Sequence, residues 1–319
     1  VLTPVSRLYL TGFASSDGML LITRGEAVLA VDGRYAEAAG QKAQGCQVLR
    51  QNPQPGWLLQ WLKGKGVGSL LLEAAVTVEQ FNRMQKSLDG IKLCADGTLD
   101  QKLRAMRAVK SPQEVALIEQ AQRLAEEAFE RVLGDIRPGR TERDIAARLE
   151  YEMRRLGSER ESFETIVVSG RKSAMPHGVP DGKEVEAGDL VTLDFGAVVG
   201  GYHSDMTRTV AVRYAGEEQK EVYAVVLQAQ QRALEAMKPG LLLREGDAAA
   251  RDVIEQAGYG RCFDHSTGHG VGLEIHEAPN LSPRSEGALE ENQVVTVEPG
   301  IYLTGKFGMR LEDYGVVRD

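Results

Sequence analysis

This chain is poor in cysteine. Its three, Cys46, Cys94 and Cys262, are far apart and odd in number. They build neither a disulfide framework nor a zinc-ribbon spacing, so a reducing, cytoplasmic setting is expected. The chain also lacks any apolar run near the roughly 18 residues of a membrane span. Its stretch LLITRGEAVLAV is broken by Arg24 and Glu26 and reads as two short strands. Basic residues are in deficit: 38 Lys and Arg against 46 Asp and Glu leave a net charge of −8. With no basic stripe, no nucleic-acid partner is expected. No Gly-rich phosphate loop and no signal peptide are read. The first residue is Val1 rather than Met, and terminal elements are expected to be missing.

What is present points to a folded protein of two domains. The length is 319 residues, with 42% apolar and 26% charged residues, ordinary values for a globular chain. Residues 1–98 alternate short strands with helices, the pattern of a small α/β domain. Strands are expected at 8–13, 19–23, 27–31, 45–49 and 67–73, the last of them buried. Helices are expected over 36–44, around Trp57–Leu62 and over 78–88. A connecting helix spans 99–110. Ser111-Pro112-Gln113-Glu114 then reads as a capping box with Pro at the first helical position. From there to 319 the order is helix, helix, hairpin, helix, helix, hairpin. This is a repeat of element order, and it makes the fold class α+β with two related halves.

Each hairpin carries two acids. In VTLDFGAVVGGYHSDMTRT, Asp194 and Asp205 flank Val199-Gly200; in VVTVEPGIYLTGKFGMRLED, Glu298 and Glu312 flank Gly305. Turns at those centres place the two carboxylates of each pair opposite one another. Like charges directly across a ladder destabilise a hairpin. Asp194 lies in a nearly continuous apolar strand, LVTLDFGAVV, and Glu298 in VVTVEPGIYL. A buried, unpaired carboxylate costs several kcal/mol, roughly, or takes up a proton. A pair of divalent cations between the acids removes both difficulties. All five histidines, His177, His203, His265, His269 and His276, fall in the second domain, three of them within HSTGHGVGLEIH. His269 completes a set of five metal ligands with Asp194, Asp205, Glu298 and Glu312. Four carboxylates and one imidazole form a hard, oxygen-rich site that suits Mn, with Zn or Co as alternatives.

These blocks resemble the signature blocks of the dinuclear metallopeptidases of family M24, the enzymes of the pita-bread fold. PHG at 176–178 is similar to a further block, while YLTGF, DGRY and KSPQEVALI resemble the creatinase-like N-terminal domain of the family's proline-specific branch. The resemblance implies a creatinase-like domain over 1–98, a linker helix over 99–110 and a pita-bread domain with pseudo-twofold halves over 111–319. It implies that Asp194 binds one metal, that His269 and Glu298 bind the other, and that Asp205 and Glu312 bridge both. Glu298 would also shuttle a proton. His177, His265 and His276 would hold the substrate and stabilise the tetrahedral intermediate. Arg310 would support the site and the substrate's carboxyl end. The implied activity is hydrolysis of the bond before proline, by an Xaa-Pro dipeptidase (prolidase) or by an aminopeptidase P acting on longer peptides.

Other readings are a metal-free creatinase-like hydrolase, a methionine aminopeptidase and a non-catalytic pita-bread binding module. Retention of all five ligands speaks against the first and the last, and the N-terminal domain speaks against the second. Ser266 and Met309 depart from the family pattern without removing a ligand. His203 is read as a supporting or surface residue. A homodimer is expected, and Arg34 or Tyr35 of DGRY is a candidate to project towards a neighbouring site. The partner is a proline-containing peptide, not a membrane.

Overall fold

The computed structural model describes residues 1–51 and 56–318. The chain forms two compact units, Val1–Arg107 and Ala108–Asp319.

The first unit begins with a helix where a strand is expected: α1 spans Pro4–Thr11. The Thr3 side chain caps it, Pro4 occupies its first turn, and Gly12 ends it with φ 66°. Buried Glu73 accepts from the Leu2 and Thr3 amides and the Thr3 hydroxyl, placing an anion at the helix start. These end signals outweigh the strand-like run LYLTGF. Strands β1 (Met19–Ile22) and β2 (Ala27–Val31) pair antiparallel, and β3 (Gln47–Arg50) adds parallel to β2 after α2 (Ala36–Lys42). Helix α3 (Trp57–Gly64) leads to β4 (Ser69–Leu71), and α4 (Val78–Ser87) leads to β5 (Lys92–Cys94), which pairs with β4 in parallel. Strand β4 is not buried as expected: Leu71 is 41% exposed, because a two-stranded ladder covers little of its own surface. Helix α5 (Thr98–Ala108) closes the unit.

The second unit has two helix pairs, each with its own core. Helix α6 (Pro112–Val132) starts on the expected capping box of Ser111 and Glu114. Helix α7 (Glu142–Leu156) starts on Thr141 and Asp144 and ends at Gly157. Ala121, Ala125 and Ala128 present a small-residue face, and Leu149 and Met153 pack into the same core with Leu193 and Phe195. Those last two lie in β7 (Leu190–Phe195), which is flanked by β6 (Ile166–Ser169) and β10 (Met206–Ala211). Between β7 and β10 lies the short ladder of β8 (Val198–Val199) and β9 (Tyr202–His203). The second pair, α8 (Glu217–Ala236) and α9 (Leu243–Gln256), buries Val226, Ala229 and Ile254 against Val297, Ile301 and Met309. Its sheet has the order β12-β11-β13-β16, from β11 (Gly268–Gly270), β12 (Glu277–Leu281), β13 (Val294–Val297) and β16 (Asp313–Val316). Strands β14 (Gly300–Leu303) and β15 (Phe307–Arg310) form a separate hairpin.

The two acid-bearing hairpins differ in register. In the second, Gly300 pairs with Arg310 and Val297 with Asp313, so Glu298 and Glu312 occupy facing positions as expected. In the first, Asp194 pairs with Thr207, not with Asp205. The turn is Gly200-Gly201, one residue later than Val199-Gly200, with φ 59° and 80°. A two-residue hairpin turn of this hand requires positive φ at both centres, which glycine supplies. That one-residue change moves every partner by two positions, and the apolar run 190–199 is split into β7 and β8 rather than continuous.

The capping box carries a direct test. Replacing Ser111 by Ala removes a side-chain acceptor at the start of α6. It is expected to destabilise the second unit by about 1 kcal/mol, read as a lower denaturant midpoint.

Candidate metal centre

Three of the acids sit where a ladder is interrupted. Asp205 lies between β9 and β10, Glu298 between β13 and β14, and Glu312 between β15 and β16. At the last two breaks the backbone bonds elsewhere. The Glu298 amide donates to the Thr267 carbonyl at 2.8 Å, and the Glu312 amide to the Thr207 carbonyl at 3.2 Å. The last contact bridges the two halves, since Thr207 pairs with Asp194 on its other side. His269 comes from β11, whose approach to β13 depends on Gly268: a Cβ there would meet the Thr296 carbonyl oxygen at 1.8 Å.

These elements bring all five expected ligands together. Donor atoms of Asp205, His269 and Glu312 lie within 4.8 Å of one another. His269 Nε2 is 3.5 Å from Asp205 Oδ2 and 3.4 Å from Glu298 Oε1. Asp194 joins through Arg310, whose Nη2 donates to Asp194 Oδ2 at 2.5 Å. The other oxygen, Asp194 Oδ1, is buried with no hydrogen-bond partner among the described residues.

The electrostatics are those of a cation site. Burial pushes the Asp205 carboxyl well above its usual range, and the charges of Glu312, Asp194 and Glu298 add to the shift. Burial likewise raises Glu312, and it pushes Glu298 up to about 8 against the pull of Arg310. One guanidinium cannot neutralise four carboxylates. His269 contributes no charge: burial lowers it to about 4. Its Nδ1 faces the Gly270 carbonyl at 3.0 Å, so Nδ1 carries the proton and the Nε2 lone pair points at the carboxylates. An unpaired buried oxygen and a lone pair aimed at anions are both satisfied by a divalent cation. The donor set therefore fits the expected metals.

A polar shell fixes the ligands. Arg310, 4% exposed, donates through Nε to Thr207 Oγ1 at 3.0 Å and through Nη1 to Tyr302 Oη at 2.9 Å. The Tyr302 hydroxyl lies 2.9 Å from His265 Nε2, and His265 Nδ1 lies 2.8 Å from the Ser266 carbonyl. Both nitrogens of His265 are thus engaged, in the Nδ1–H form. The Phe263 ring stands edge-on to it at 4.9 Å. Arg251 donates to the carbonyls of Phe263 and His265, and Asp247 accepts from the Thr267 amide and hydroxyl, which clamps this segment onto α9.

The remaining histidines divide. His276 is exposed, with its ring 4.4 Å from that of His269. His177 is exposed on the loop after Gly170–Ala174 and makes no side-chain hydrogen bond, ion pair or ring contact among the described residues. The base of its loop is nevertheless held. Buried Glu142 accepts from the Ser169 amide and from Lys172, and Ser173 Oγ bonds the backbone of Gly308 on β15. His203 is buried rather than at the surface, bonded to Ser162 and facing Arg160. Met309 is buried in the second core. In the first unit, Arg34 is 69% exposed and pairs with Asp32 and Asp17, while the Tyr35 hydroxyl bonds Ser16. Sequence reasoning passed over Tyr302 and Thr207, although both lie inside the acid-bearing hairpins.

Comparison with known proteins gives the family. The profile described as metallopeptidase family M24 matches residues 116–319, and that of the Creatinase/Prolidase N-terminal domain matches residues 1–109. The chain belongs to metallopeptidase family M24. This M24 chain is 42% identical to an Xaa-Pro dipeptidase of Pyrococcus horikoshii over 76% of each chain. It superposes on the X-Pro aminopeptidase of Thermotoga maritima with a TM-score of 0.94 and 39% identity, covering 99% of this chain and 90% of the other. The prolidase of Pyrococcus furiosus gives a TM-score of 0.92 and 36% identity, with 100% and 92% covered.

The raised carboxyls of this M24 chain predict a pH signature. Folded Glu298 keeps its proton up to about 8, whereas an unfolded glutamate loses it near 4.5. Deprotonation on raising the pH therefore favours the unfolded state. The buried histidines act oppositely, but their contribution is complete above 6.5, the ordinary histidine value. Chelated protein is expected to lose thermal stability steadily between pH 6.5 and about 8. Added Mn2+ should abolish that loss, as scanning calorimetry would show.

Proposed function

We propose that this chain is an Xaa-Pro dipeptidase, a prolidase, working with two divalent cations, Mn foremost and Zn or Co as alternatives. The observation that carries the reading is the unpaired Asp194 Oδ1 beside the cluster of Asp205, His269 and Glu312. Asp194 would hold one metal and His269 and Glu298 the other, and Asp205 and Glu312 would serve both. When bound, the cations supply Lewis acidity and a water of lowered pKa. Glu298, whose carboxyl is raised to about 8, would hold and pass on a proton at its carboxylate. His276, exposed beside His269, is assigned to donate to the developing oxyanion, and exposed His177 to meet the substrate. His265, expected to do the same, has both nitrogens engaged by Ser266 and Tyr302 and is assigned instead to hold the Tyr302 hydroxyl. Arg310 is held through all three of its nitrogens by Thr207, Tyr302 and Asp194. Each terminal nitrogen keeps a second N–H that can meet the substrate's carboxylate.

Names of similar proteins support the substrate class, and they point in two directions. The Pyrococcus proteins are named dipeptidase and prolidase, while the Thermotoga structure is named an X-Pro aminopeptidase. An aminopeptidase P is therefore the second reading. A non-catalytic binding module is disfavoured because every ligand is in place. A cytoplasmic location accords with three free cysteines. Among the described residues no helix is long and apolar enough to cross a membrane. A homodimer is part of the proposal, checked by light scattering.

The decisive assay compares Ala-Pro with Ala-Pro-Ala on Mn-loaded protein. A dipeptidase cleaves the first faster, and the reverse order would establish the second reading. Inactivity on both would sink the two together. Asp205→Asn is expected to retain the fold by circular dichroism and to lose more activity than the roughly 10–100-fold typical of an outer-shell change. Turnover at the wild-type level would refute its bridging role.

A further inference from the structure

Thr207 sits where the two halves meet at the centre. It is fully buried, at 0% exposure. Its backbone pairs with Asp194 on one side and with Glu312 on the other. Its hydroxyl reaches two side chains of the site: Oγ1 lies 2.7 Å from Glu312 Oε2 and 3.0 Å from Arg310 Nε. A hydroxyl has one proton, and a guanidinium has no acceptor. Arg310 therefore donates to Thr207, and with Glu312 ionised the single Thr207 proton goes to Glu312 Oε2. One hydroxyl sets the rotation of the Glu312 carboxylate and the placement of the guanidinium that holds Asp194.

The arrangement is one-sided. Thr207 lies two residues after Asp205, and the position two residues after Glu312 is Tyr314, whose hydroxyl donates to the Ile118 carbonyl on α6. Thr209, also buried, bonds Thr192 and the Arg310 backbone rather than a ligand. We propose that Thr207 is a positioning residue that orients Glu312 and Arg310 and thereby sets the affinity of the centre for divalent cations. The inference rests on the metallopeptidase reading above.

The test is calorimetric titration of Mn2+ into the chelated full-length protein, with Thr207→Val, Thr207→Ala and Thr207→Ser alongside the wild type. Valine keeps the volume and removes the hydroxyl. At least one of the two wild-type equivalents is expected to bind about 10–100-fold more weakly in Thr207→Val, the usual effect of losing a ligand's supporting partner. Thr207→Ser should recover most of that loss. Should the valine variant misfold by circular dichroism, the alanine variant takes its place with the same expectation. Wild-type affinity in a folded hydroxyl-less variant overturns the positioning role, as does a serine variant no better than valine. Failure of the wild type itself to take up Mn2+, Zn2+ or Co2+ would instead overturn the two-cation reading on which the inference stands.

Discussion

The mutual repulsion of Asp194, Asp205, Glu298 and Glu312 around one guanidinium is the constraint on which the second unit depends. Burial and mutual charge raise the carboxyls of Asp205, Glu298 and Glu312. Left alone, such a cluster holds protons at neutral pH. Divalent cations taken up there would exchange for those protons, which would couple metal uptake to pH and to folding. Arg310 does not neutralise the cluster. It serves as a brace, spending its nitrogens on Asp194, Thr207 and Tyr302.

The scaffold meets this constraint by building each half as a helix pair over a ladder and placing acids at the ladder's interruptions. A residue at such a break is freed from its hairpin partner. Its amide can then bond the opposite half, as Glu312 does with Thr207. The acids converge because the backbone changes partners there, and the separate cores behind each half keep the breaks in place.

Much of this was legible from the chain. Helix α6 starts where Ser111, Pro112 and Glu114 announce it, because a capping box is a local interaction complete within four residues. The second hairpin was legible to the residue, since its turn centres on one glycine, Gly305. The first was misread by two positions, because two adjacent glycines left the turn's centre ambiguous. Helix α1 was missed because its start is set by Thr3-Pro4 together with Glu73, 70 residues away along the chain.

By itself the sequence singled out the candidate donors: four carboxylates and an imidazole, in an order whose chemistry admits a hard divalent cation. Their residue types and hairpin settings are local facts. Only the tertiary structure decided how those donors are held. Thr207 meets Glu312 across 105 residues, Arg310 meets Asp194 across 116, and His265 meets Tyr302 across 37. Contacts at such separations have no periodicity or motif to betray them. The first two exist because two halves bury their cores and bring two interrupted ladders edge to edge, and the third because the second half folds His265 back onto its own hairpin.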